Sequence, residues 1–259
     1  MNFKKAVIFL GCAAPVCALL NCLVMFFTIE TSSGFFRTGY SSLAVLMLGI
    51  IAALIILSAV AFSRVRRLNP PAFWPYISAI LSVVLGICFL AEAFKFTPLV
   101  GTTPAFAVFI RIFAVLSGIV FVWRGVNGLF FVPIYKEIYI LPVIYMILKV
   151  VSTFIAYAGV ATITETVFEL FAICAMLIFT LNFAKAENGI KNKKGVGLST
   201  PLCVVCALVI LTQIAPYAVN YFAKEEALIH ANSLFSPTSI ILSLFIISVA
   251  LFKNQKELD

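Results

Sequence analysis

Four ionisable side chains stand where nearly everything around them is apolar. Glu92, Arg111, Lys149 and Glu169 each lie inside a run of roughly twenty apolar residues, the length that crosses a bilayer core as a helix. A basic residue at the centre of such a helix costs ~3 kcal/mol on insertion scales, so these groups need a partner, a cavity or water. Two acids and two bases can form ion pairs, and a guanidinium can hold a carboxylate through two bonds. Arg111 is expected to bond Glu169 or Glu92, with Glu169 preferred because it lies deeper. Lys149 is expected to pair with Glu169 or to solvate a cavity.

Helical spacing adds neutral polar groups. Tyr145, Lys149, Ser152, Thr153 and Tyr157 fall on one stripe. Gln213, Tyr217 and Asn220 form another beside Pro216, and Asn21 shares its face with Ala14 and Cys17. Ala107, Arg111, Ala114 and Gly118 also share a face, and small residues there let helices approach closely, so Arg111 is expected to point into protein. Together Glu92, Arg111, Lys149, Glu169, Gln213 and Asn21 describe either a polar cavity opening outward or interhelical hydrogen-bonding glue.

Enzyme chemistry is not indicated. His230 is the sole histidine and Asp259 the sole aspartate. No His-Glu-x-x-His helix and no Gly-rich phosphate loop is present. Leu116-Ser117-Gly118 lacks the glycine that would precede a nucleophilic serine, and no histidine in a span could serve as its base. Glu225-Glu226 lies in a loop without the histidines that a membrane protease of that type uses. A Schiff base on Lys149 lacks an acidic counter-ion on the neighbouring turns. The seven cysteines fall within predicted helices, and Cys203-x-x-Cys206 reads as two small packing residues. No cofactor and no metal is expected.

The elements that must position these groups are plain. Hydrophobic residues make up 63% of the 259 and charged residues 11%, against ~25% charged in a soluble domain. Eight apolar stretches run at Ala6–Thr28, Ser41–Ser63, Phe73–Phe94, Pro104–Arg124, Ile138–Val160, Thr166–Ala184, Pro201–Phe222 and Leu234–Phe252. They predict an all-α polytopic transmembrane bundle of about eight helices. The connections are too short for a soluble module, so residues 1–259 form a single transmembrane domain. Similar helix openings (Thr103-Pro104, Ser236-Pro237) and closings (Ala61-Phe62-Ser63-Arg64, Asn182-Phe183-Ala184-Lys185) permit a weak tandem repeat of 1–130 and 131–259, although helix ends of like orientation resemble each other anyway. Lys4-Lys5 and the run after it could open a signal peptide, but the run continues far enough to span and is read as the first helix. Residues 125–137 either extend the fourth helix or lie in the interface.

The net charge of +8 follows the same topology. With an inside start, Lys4, Lys5, Arg64, Arg66, Arg67, Arg124, Lys136, Lys185, Lys191, Lys193, Lys194, Lys253 and Lys256 lie in cytoplasmic segments. Only Arg37, Lys95 and Lys224 lie outside. That is the positive-inside asymmetry, and it places both termini in the cytoplasm. The charge therefore calls for no nucleic acid; the partner is a lipid bilayer, with a small solute or another membrane protein beside it. The loop Lys185–Ser199 is expected to meet anionic headgroups.

Leu141-Pro142-Val143, Leu148-Lys149 and Asn182-Phe183-Ala184-Lys185 carry a resemblance to an uncharacterised family of bacterial eight-helix membrane proteins. The resemblance implies a multi-pass protein of the bacterial cytoplasmic membrane and brings no activity with it. Two functions fit the residues: a small transporter-like protein with a polar cavity on its outer side, or a non-catalytic membrane subunit, scaffold or sensor.

Overall fold

The computed structural model describes residues 3–29, 37, 39–63, 73–95, 103–132, 134–158, 164–190, 198–223 and 236–252. Among them are eight α-helices and no strand: α1 Phe3–Leu23, α2 Ser41–Ser63, α3 Trp74–Lys95, α4 Pro104–Phe130, α5 Ile140–Ala158, α6 Thr164–Glu187, α7 Thr200–Ala223 and α8 Pro237–Phe252. A π-turn, Val24–Thr28, continues α1, and a 3₁₀ turn, Lys136–Tyr139, leads into α5. Seven of these helices are long and apolar enough to cross a membrane. The eighth, α8, has 16 residues, a rise of ~24 Å. The chain is an integral membrane protein with an all-α bundle.

Six of the helices close on one another. α3 packs on α4, α4 on α5, α5 on α6, α6 on α7, α7 on α8, and α8 returns to α3. The other two, α1 and α2, pack together against the flank of α7. Leu43, Val45, Leu46, Ile56 and Leu57 leave α2 lined with exposed apolar side chains, which suits a lipid neighbour.

The α3–α4 pair makes the most extensive contact, and glycine is the reason. A Cβ on Gly86 would lie 2.6 Å from the carbonyl oxygen of Gly118, and one on Gly125 would lie 2.6 Å from that of Ala79. Only glycine lets the two backbones come this close. Ser82 hydrogen-bonds the Phe121 carbonyl across the same seam at 2.8 Å.

Within 125–137 the first part extends α4, as one of the two expectations had it. Gly125–Phe130 continues α4, which ends where Phe131 takes a left-handed conformation at φ 58°. The Phe131 N–H bonds the Asn127 carbonyl at 2.8 Å, and the Asn127 amide holds the Val132 carbonyl. Left-handed geometry costs a non-glycine residue about 1 kcal/mol, which these two bonds offset. Phe130, Phe131 and Tyr135 are strongly exposed there, as aromatic side chains at a membrane surface are.

Candidate functional site

The charge asymmetry assigns the ends of α3 and α5 and the starts of α6 and α8 to the outer side, and that end of the bundle is called outer below. Glu92 lies one turn before the end of α3, and Lys149 faces it from α5. The Lys149 Nζ donates to Glu92 Oε1 at 2.7 Å, with the two side chains 15% and 21% exposed. Tyr145, one turn below Lys149, and Thr238, at the start of α8, bring hydroxyls near the same carboxylate. Glu169 on α6 is 2% exposed, and its charge also acts on Lys149. Ser152 and Thr153 continue the α5 stripe and are buried. Side chains of four ring helices thus meet around one lysine. The lysine bonds one carboxylate and feels the charge of a second.

This arrangement corrects the partner expected for Lys149. The hydrogen-bonded partner of Glu92 is Lys149, and the carboxylate that Lys149 bonds is that of Glu92 rather than Glu169. Arg111 is exposed instead of pointing into protein. Ala107, Ala114 and Gly118 do face inward, together with Ile110 and Phe121. The arginine sits ~40° around the helix from Ala107, enough to move its long side chain onto the shoulder of the buried face.

Beneath the pair runs a column of aromatic rings. Phe89, one turn below Glu92, meets Tyr145 edge-on at 5.4 Å and stacks on Phe121 at 5.5 Å. Phe121 meets Phe245 at 5.6 Å and Phe183 at 6.3 Å, and Phe179 packs against both of these. All six rings are buried in the middle of the six-helix ring. Arg124 closes the column at its other end, with its guanidinium carbon 5.0 Å from the centre of Phe183 and 4.9 Å from that of Phe245. Arg124 also pairs with Glu187 of α6 at 3.6 Å.

Asn21 and Gln213 come together elsewhere. Asn21 Nδ2 donates to the Thr212 carbonyl at 2.8 Å and to Gln213 Oε1 at 3.3 Å, which ties α1 to α7. This contact lies between the ring and its flanking helices and is interhelical glue. Tyr217, on the same stripe, is buried. Cys203 and Cys206 are buried in the core. Expectations that concern Arg64–Asn69, Lys191–Gly197, His230, Glu225-Glu226 and the side chains of Tyr157 and Asn220 fall outside the described residues.

Sequence reasoning overlooked Thr238, the Arg124–Glu187 pair and the aromatic column. A signal existed for the last two. Once α4 runs to Phe130, Arg124 lies inside a helix with its charge at the depth of Phe183, and intramembrane charges seek rings and carboxylates.

Compared with protein-family models, curated proteins and solved structures, the chain matches none.

Proposed function

We propose that the protein is a small transporter-like carrier, non-catalytic, working in the bacterial cytoplasmic membrane. One observation carries this reading: a partly exposed Glu92–Lys149 ion pair stands inside a ring of six helices, directly above a fully buried aromatic column. A reachable charged site with a closed barrier beneath it is what a carrier needs in one of its two states. Glu169 adds a second buried carboxylate beside Lys149, and carboxylates at such a site suit a proton or a small cation. Solute entry would then compete with Lys149 for the carboxylates, and loosening of the Phe89–Tyr145 contact would open the path below.

The test uses purified protein in liposomes on a solid-supported membrane. Concentration jumps of protons, sodium, potassium and small organic amines are applied in turn. A saturable current from one of them, lost in Lys149→Gln, supports the carrier. Absence of current from all of them contradicts it.

The second reading is a non-catalytic subunit, scaffold or sensor, and the dense packing of the column favours it. A membrane protein that co-purifies in fixed ratio, identified by mass spectrometry, together with silent liposomes, would establish that alternative.

A further inference from the structure

The outer face of the α3–α4 pair carries two adjoining hollows. The upper one, about 420 Å³, is lined by Ala93, Phe94, Arg111, Ile112, Val115 and Leu116. The lower one, about 240 Å³, is lined by Leu90, Ile119, Val122, Trp123 and Val126. On α4, positions 112, 115, 119, 122 and 126 recur every three or four residues and form one stripe along the seam. From Arg111 to Val126 the stripe rises ~22 Å, whereas one leaflet of the hydrocarbon core is ~15 Å deep. The groove can therefore take a full acyl chain.

Its chemistry is that of a phospholipid. Every lining residue is apolar except Arg111, which stands at the outer end. Arg111 lies ~10 Å below the first residue of α4, but α4 spans ~40 Å against a core of ~30 Å, so the side chain can extend to headgroup level. A guanidinium has five N–H donors, so contacts inside the protein leave others for a phosphate. Just inward of the groove, the carboxylate of Glu92 is turned to Lys149 and does not close it.

We propose that this groove binds one anionic glycerophospholipid of the outer leaflet, its phosphate on Arg111 and one acyl chain laid over Val115 and Ile119 toward Trp123. The site is independent of the transport reading. Ala93 and Phe94 follow Glu92 directly in α3, so the bound lipid also braces the turn that carries the ion pair.

The test is native mass spectrometry of the protein taken from nanodiscs of phosphatidylglycerol or of phosphatidylcholine with the same chains. The wild type should retain one phosphatidylglycerol through delipidation and about tenfold less phosphatidylcholine. Arg111→Gln should lose that preference, and Arg111→Lys should keep part of it, since an ammonium offers charge without the fork. Val115→Trp fills the groove but leaves the arginine in place. It should lose the retained lipid while the protein stays folded, which keeps the test open if Arg111→Gln folds poorly. Equal retention of both lipids, or unchanged retention in Arg111→Gln and Val115→Trp, overturns the proposal. A dimer whose cross-links run through Ile112 and Leu116, with no lipid retained, also overturns it by giving the groove to a second copy of the chain.

Discussion

The two ends of the aromatic column carry the same kind of ion pair in different settings. At the outer end a lysine meets its carboxylate at 2.7 Å, with hydroxyls and a second carboxylate around it. At the inner end an arginine meets a carboxylate at 3.6 Å and spreads its guanidinium over two phenylalanine rings. Lys149 also faces a ring, that of Tyr145, but at 6.0 Å. The inner pair matches one base with one acid and uses the flat face of arginine as packing surface, which makes it an anchor. The outer pair has a compact point charge with a second carboxylate beside it, which suits a site that can exchange partners.

The sharpest way to break this contrast is to remove the outer lysine. Lys149→Met leaves Glu92 and Glu169 without it and should cost about 3 kcal/mol of stability in detergent. Glu92→Gln should cost less, since Lys149 keeps Glu169 nearby, and the double mutant should lose less than the sum of the two singles. Additive losses in the melting temperatures would show that the pair contributes nothing as a pair.

Next in size is the helix pair that carries both Glu92 and Arg124. Gly86→Ala places a methyl against the Gly118 carbonyl and should cost about 2 kcal/mol by overpacking. It should loosen both ends of the column together, read as faster amide exchange in α3 and α4. An unchanged exchange pattern would mean that the two ends are positioned independently.

At the inner end, Arg124→Lys keeps the charge but loses the stacked plane. About 1 kcal/mol of destabilisation with solute currents retained would fit an anchor. Loss of current at full stability would mark the inner pair as part of the transport path. The smallest effect belongs to the glue outside the column: Asn21→Ala should cost ~0.6 kcal/mol in thermal unfolding and leave currents intact.

How far the sequence disclosed this arrangement depended on the physics involved. Helix number and place were legible because apolar length is a strong signal, and Ser41–Ser63 was expected as it stands. The burial of Glu169 and Ser152 was legible because charge and hydroxyls inside a span have few other places to go. That Lys149 would bond Glu92 was not legible, since depth along a helix says nothing about which helices are neighbours in the ring. Arg111 misled because its small neighbours do face inward, and a step of ~40° is too fine for periodicity to resolve. One overlooked signal was a spacing of seven: Ala79, Gly86 and Ala93 on α3, with Gly118 and Gly125 on α4, describe the seam of two closely packed helices. Arg111 occupies the next place in that series on α4, at the point where the seam opens.

The account rests on the outer pair being reachable from one side and sealed from the other. The most direct test places a cysteine at Lys149, in Glu92→Gln and with the seven native cysteines replaced, and applies a membrane-impermeant trimethylammonium methanethiosulfonate to each face of oriented vesicles. The account predicts faster modification from the outer face than from the inner face, with a rise in melting temperature as the attached cation replaces the lysine beside Glu169. A cysteine that reacts from neither face would contradict it and leave a closed, structural core.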